Sequence, residues 1–89
     1  MEITIGMFAK SKAGHDKNQV YVIINCDDEY VYLSEGRLKT IDHPKKKKIK
    51  HIQLIGYSNP EIGKKLLDNN LLRNEDIKKA IKDYLAEKN

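Results

Sequence analysis

The alternation of apolar and polar residues predicts short β-strands in the first two thirds of the chain. Residues 19–25 (QVYVIIN) are rich in β-branched and aromatic side chains, and residues 30–33 (YVYL) resume the alternation after the polar turn DDE. These two segments predict a β-hairpin. Further short strands are predicted at residues 5–11, 37–41 and 50–55, and five short strands with brief connections are typical of a small barrel.

From residue 59 onward the pattern has a helical period. The sequence NPE at residues 59–61 is a typical helix start and predicts a helix from residue 60 to about 67, ended by the polar residues 68–70. Asn74 is predicted to cap a second helix. The apolar residues of that helix form a narrow stripe at positions i, i+3, i+4, i+7 and i+8, namely Ile77, Ala80, Ile81, Tyr84 and Leu85. We expect the stripe to pack on the sheet or the first helix; a partner-binding helix is the alternative.

The change of pattern divides the chain into residues 1–58, predicted to form the barrel, and residues 59–89, predicted to be a helical segment packed on it. The expected fold is therefore mainly β with two short C-terminal helices. With 89 residues the chain has room for one small domain. The single cysteine cannot form an internal disulfide, no apolar run approaches a membrane span and no signal peptide is recognised, so we expect a cytoplasmic protein.

The charge of the chain is unevenly distributed. The net charge is +4, and residues 37–51 contain seven basic residues and one acidic residue. A positive field concentrated in one segment indicates an anionic partner such as nucleic acid.

The first candidate site is the connection between the first two strands, residues 10–18. It contains three lysines, and Gly14 and Asn18 are residue types that tolerate left-handed backbone. Such a loop can present N–H groups and cationic side chains to phosphates. We expect Asp16 to hydrogen-bond the backbone of the loop itself, because its charge opposes phosphate. A tight turn with solvated lysines is the alternative.

The second candidate is the basic tract formed by Lys45, Lys46, Lys47, Lys48 and Lys50. Like charges at neighbouring positions repel, so we expect an exposed loop or strand edge that delivers five ammonium groups to a phosphate backbone. A solubilising charge run, protection of an edge strand and a nuclear-import signal are the alternatives.

Several of these segments together resemble a known family. The sequence IGMFAKSKAGHDK at residues 5–17, followed by the QVYVII strand, resembles a KOW motif, and the similarity continues through YVYL, GRLK, PKKKKIKH and the helix at residues 74–85. The chain is similar to short bacterial KOW domain-containing RNA-binding proteins, relatives of a large-subunit ribosomal protein family. It departs from the pattern at Asn18, usually a second glycine, and at His15, where arginine is frequent.

The resemblance implies an SH3-like five-stranded barrel that binds RNA, and barrels of this kind also serve as protein-docking modules. We therefore predict a cytoplasmic, monomeric protein that binds structured RNA, in particular ribosomal RNA, with ribosomal proteins as further partners. A docking module for a translation or transcription factor is the alternative. The predicted RNA-binding residues are Lys10, Lys12, Gly14, His15, Lys17, Asn18, Arg37, Lys39, Lys45, Lys46, Lys47, Lys48 and Lys50.

No enzyme, cofactor or metal site is predicted. The three histidines and Cys26 lack the spacing of a zinc site, and no nucleophile elbow, glycine-rich phosphate loop or carboxylate pair is recognisable. Tyr30 and Tyr32 share one strand face and are expected either to complete cross-strand packing or to stack on bases. The strongest candidate binding features of the sequence are lysines and a loop rather than aromatic residues, so we favour structured RNA over single-stranded RNA as the ligand.

Overall fold

The computed structural model describes residues 2–67 and 71–88, which form five strands, one short 3-10 helix and two α-helices. In chain order these are β1 (Met7–Ser11), β2 (Val20–Cys26), β3 (Tyr30–Ser34), β4 (Lys45–Lys48), the 3-10 helix Ile49–His51, β5 (Ile52–Ser58), α1 (Pro60–Leu67) and α2 (Asn74–Lys88). The predicted end of the first helix at residues 68–70 lies outside the described residues. Within those residues, neither helix is long and apolar enough to cross a membrane.

The strands form one antiparallel sheet in the order β4-β3-β2-β1-β5. A mainly β fold with C-terminal helices is thus confirmed. The predicted barrel is not closed: β4 and β5 are the edge strands of the sheet, and no ladder joins them among the described residues. The 3-10 helix Ile49–His51 separates these two edge strands along the chain.

Both faces of the sheet are buried. Successive residues of a strand point to opposite faces, so each strand can contribute side chains to two separate cores. On one face, Phe8 and Val22 share a core with Ile62 of α1 and Ile77 of α2. The opposite face has its own core, formed by Ala9, Tyr21, Ile23, Val31, Leu33 and Ile52. The helices therefore cover one face, and partly buried side chains that include Ile3, Ile49 and Leu54 pack against the core on the other.

The apolar stripe of α2 is part of the first core. Ile77, Ala80, Ile81 and Tyr84 are all buried, whereas Leu85 at the end of the stripe is 44% exposed. The ring of Tyr84 lies 5.6 Å from that of Phe8 between centroids, in an edge-to-face arrangement. The stripe thus attaches α2 to the sheet.

The strand predicted at residues 37–41 is wrong: these residues form an irregular turn. The Glu35 carboxylate accepts hydrogen bonds from the backbone N–H groups of Arg37 and Lys39, and the Ser34 hydroxyl donates to the Lys39 carbonyl. Nearby side chains therefore form the hydrogen bonds with these backbone groups that a neighbouring strand would otherwise form. As a result, Leu38 is 84% exposed rather than facing the core.

The lysine tract forms the remaining strand, β4. The strand predicted at residues 50–55 begins later and extends further, as β5, because residues 49–51 form the 3-10 helix.

The two predicted helix caps differ in outcome. The Asn59 side chain accepts a hydrogen bond from the Glu61 N–H at 2.9 Å, which confirms it as the cap of α1. Asn74 is instead the first helical residue of α2, and its side-chain oxygen accepts the Ile41 N–H at 2.9 Å. The predicted capping role of Asn74 is therefore wrong, because the amide is used to hold the turn after β3 against the helix.

Gly36 permits this close approach of the turn to α2. Its φ is +85°, and a Cβ at this position would lie 2.5 Å from the Asn74 carbonyl oxygen and 2.7 Å from Lys78 Cγ. Both the backbone conformation and the available space therefore require glycine.

We expect Gly36→Ala to lower the free energy of unfolding by at least about 2 kcal/mol, because it combines backbone strain with a clash against backbone. Gly63→Ala is the matched control: Gly63 lies within α1 and a Cβ there would meet nothing within 4 Å. That control should be stabilising by about 0.5–1 kcal/mol. Urea unfolding followed by circular dichroism measures both, and equal stability of the two variants would contradict the packing role of Gly36.

Candidate nucleic-acid interface

The loop between β1 and β2 adopts the left-handed conformations that its sequence predicts. Gly14 has φ +92° and Asn18 has φ +76°. The Asn18 N–H donates to the Ser11 carbonyl at 2.9 Å, and the Lys17 N–H donates to the Gly14 carbonyl at 3.2 Å. Asn18 thus adopts the left-handed conformation without being glycine, and the loop has a defined shape that leaves the side chains of Lys12, His15 and Lys17 exposed.

Asp16 turns inward from this loop and binds side chains. Its carboxylate accepts hydrogen bonds from Ser11 Oγ at 2.9 Å and Tyr21 Oη at 2.7 Å. It also forms ion pairs with Lys45 Nζ at 2.9 Å and Lys47 Nζ at 2.8 Å. The expectation that Asp16 bonds the backbone of its own loop is therefore wrong, because β1, β2 and β4 all bring donors to it.

The Asp16 cluster has definite protonation states. Burial by itself raises the pKa of Asp16, but the bonds from Lys47, Lys45, Tyr21 and Ser11 outweigh burial and hold that pKa well below its ordinary value. Burial and the Asp16 carboxylate both raise the pKa of the Tyr21 phenol. At neutral pH the carboxylate is therefore charged and the phenol remains a donor.

Strand alternation separates the lysines of β4 into two pairs. Lys45 and Lys47 are opposite Leu33 and Val31 of β3, on the face where Asp16 lies. Lys47 is the more deeply placed: its side chain is 10% exposed and also donates to Ser11 Oγ at 2.6 Å and to the Ala13 carbonyl at 2.9 Å.

Lys46 and Lys48 lie on the opposite face of β4 and also have partners. Lys46 Nζ is 4.3 Å from the centroid of the Tyr30 ring, a cation–π contact. Lys48 Nζ is 3.8 Å from Glu29 Oε1 in the β2–β3 turn. Tyr30 therefore lies beneath an ammonium group.

The predicted tract of five available ammonium groups is therefore only partly correct. β4 is an edge strand, as one form of the prediction had it. Lys45 and Lys47, however, neutralise Asp16 within the fold, because alternation turns every second side chain of a strand inward. Lys50, in the 3-10 helix, is exposed and forms no ion pair with any described residue.

One group of unpaired lysines lies in and beside the β1–β2 loop and in the 3-10 helix. The Lys12 N–H donates to the His51 carbonyl at 2.9 Å, which places Lys12 beside Lys50. Lys10 is in register with Gln53 of β5. We name Lys10, Lys12, Lys17 and Lys50 the basic corner; none of the four is ion-paired to a described residue.

The two remaining predicted residues, Arg37 and Lys39, lie in the turn after β3 rather than at the basic corner. Arg37 lines a groove with Gln19 and with two lysines of α2 that the sequence did not single out, Lys78 and Lys82. The sequence feature that could have revealed these two lysines is their spacing of four residues beside the apolar stripe, which places them on one flank of the helix. No group of three His, Cys, Asp or Glu side chains in the described ranges is arranged to hold a metal ion.

Comparison with known proteins adds no relative: no family model and no curated protein matches the chain. The KOW resemblance therefore stays a prediction from the sequence.

We expect Asp16→Asn to lower the free energy of unfolding at pH 7 by about 2–3 kcal/mol, because it leaves the Lys47 ammonium without a counter-charge. The folded-state pKa of Asp16 is depressed, so its stabilisation is present above the unfolded pKa of about 3.9 and is lost as pH falls below it. The difference between the wild type and the variant should therefore shrink between pH 5 and about pH 2.

Urea unfolding across this pH range measures the effect of Asp16→Asn. Asp42→Asn, at an exposed position in the turn before β4, is the control and should change stability by less than about 0.5 kcal/mol. A stability difference for Asp16→Asn that stays constant down to pH 2 would show that the ion pairs are not its source.

Proposed function

We propose that this protein binds structured RNA through the basic corner. The observation that carries the proposal is the grouping of unpaired lysines around one loop: Lys10, Lys12 and Lys17 lie in or beside it, and its backbone bonds to the 3-10 helix that contains Lys50. None of the four is ion-paired to a described residue. Lysines held this way can neutralise several phosphates of a folded RNA backbone. The Asp16 cluster fixes the loop from below, so little ordering is needed on binding.

The KOW resemblance supports the same site. The residues that resemble the motif, 5–17, include the greater part of the loop and three of the four cations of the basic corner. We therefore extend the proposal to an SH3-like, KOW-type relationship, with ribosomal RNA in the cytoplasm as the target and ribosomal proteins as neighbours.

Aromatic placement favours a structured RNA over a single strand. Phe8 and Tyr21 are buried, and Tyr30 already stacks under Lys46. Proteins that bind single strands usually present exposed aromatic rings to the bases. Contacts from lysine to phosphate, which depend on shape and charge, are the stronger feature here.

The alternative of a protein-docking module is less well supported. A docking module that used α2 would present a free apolar stripe, but Ile77, Ala80, Ile81 and Tyr84 are buried in the core that α2 shares with the sheet. Only Leu85 of the stripe is exposed, which is too small an apolar area to define a partner surface.

We expect the double variant Lys12→Gln/Lys50→Gln to bind a labelled ribosomal RNA fragment about tenfold more weakly than the wild type at about 0.1 M salt. The log–log dependence of affinity on salt should have a slope of roughly −3 to −4 for the wild type and should flatten by about 2 in the variant. Fluorescence anisotropy over a salt series gives both quantities.

The matched control is Lys64→Gln/Lys79→Gln, which removes the same charge from α1 and α2. Both lysines are exposed and lie away from the corner, beside Glu61 and Asp83 respectively. The control should retain wild-type affinity within about twofold. Equal losses in the two double variants would mean that net charge, not the basic corner, accounts for binding.

A further inference from the structure

The groove between α2 and the turn after β3 contains a second group of cations. It is lined by Gln19, Arg37, Lys78 and Lys82, with Glu35, Ile81 and Leu85 completing its walls. Lys78 and Lys82 are one helical turn apart, so their side chains project from the same flank of α2, about 6 Å apart at Cβ. Three cations of two different elements thus face one groove.

Gly36 positions the two walls of this groove. Because it has no Cβ, the turn approaches the first turn of α2 closely enough for its backbone to contact Lys78. The bond from the Ile41 N–H to Asn74 holds the far end of the turn against the same helix. Arg37, next to Gly36, is thereby held beside the lysines.

The cations of the groove are not balanced within it. Glu35 is the one acidic residue lining it, and its Oε1 already accepts the backbone N–H groups of Arg37 and Lys39. No ion pair joins Arg37, Lys78 or Lys82 to another described residue. Lys79, by contrast, pairs with Asp83 at 3.4 Å on the other flank of α2. A multiply charged anion in the groove would relieve the mutual repulsion of its cations.

The groove is continuous with the basic corner. Gln19, which lines it, follows the loop residue Asn18 directly, and its carbonyl accepts the Ser11 N–H at 3.1 Å. Lys10 is in register with Val20, so it lies on the sheet face that α2 covers. The 3-10 helix, the loop and the groove beside α2, each with unpaired cations, are thus connected in turn by backbone bonds and by Gln19.

We propose that Arg37, Lys78 and Lys82 form a second phosphate-binding patch, so that one RNA contacts both the basic corner and helix α2. This inference rests on the proposed RNA-binding function. It assigns α2 a role in recognition as well as in packing, and it predicts a target long enough to reach phosphates on both sides of the loop.

The test compares Lys78→Gln/Lys82→Gln with the wild type for binding of the same labelled ribosomal RNA fragment. Glutamine keeps the helix propensity of lysine, and both positions are exposed, so the fold should persist, as circular dichroism will show. We expect affinity about fivefold weaker and a salt slope flatter by about 1 to 2. Arg37→Gln, on the opposite wall, should act in the same direction.

The controls separate this inference from the proposed function. Lys64→Gln/Lys79→Gln removes equal charge, including a lysine of the same helix, and should bind as the wild type does. If Lys12→Gln/Lys50→Gln weakens binding but Lys78→Gln/Lys82→Gln matches the control, the α2 patch is wrong and the basic corner stands. If the wild-type protein shows no salt-dependent RNA affinity, both proposals are overturned. A groove variant that binds RNA normally but loses a protein partner would also overturn the α2 patch.

Discussion

The arrangement of this small fold depends on the hydrogen bonds and ion pairs of the Asp16 carboxylate. It lies in the β1–β2 loop and binds Ser11 of β1, Tyr21 of β2 and the inward lysines of β4. β4 and β1 are not neighbours in the sheet, so these bonds connect two parts of the sheet that no strand ladder joins. The same bonds fix the loop, and they determine which cations remain available to a ligand.

The distribution of charge follows from that interaction. The run of four lysines is the most conspicuous feature of the sequence, yet two of its members pair with the partly buried Asp16 carboxylate and the other two have partners within the fold. Consecutive lysines can form an edge strand because alternate side chains point to opposite faces of the sheet and meet different neighbours. The less conspicuous lysines of the loop and the 3-10 helix are among those without an ion pair to a described residue, and the proposed function rests on them.

Local patterns were sufficient to predict much of the fold. The β2–β3 hairpin, the Asn59 cap and the left-handed Gly14 and Asn18 depend on residues close in sequence. The sheet does not close into the predicted barrel and the strand predicted at residues 37–41 does not form, because both depend on distant or competing bonds, such as those of the Glu35 side chain. The sequence predicted which basic residues the site contains, but not which of them are paired within the fold and which remain available. That division depends on tertiary contacts, namely the partners of Asp16 and the proximity of Arg37 to α2.

Nuclear magnetic resonance of the ¹⁵N-labelled protein, titrated with the ribosomal RNA fragment, tests the central claim most directly. If RNA binds at the basic corner, we expect the chemical-shift changes of the amides to concentrate in the loop at residues 12–19 and in the 3-10 helix Ile49–His51. The amide shifts of α1 (Pro60–Leu67) should stay unchanged. Shifts confined to β4 (Lys45–Lys48), or to α1, with the loop unaffected would contradict it.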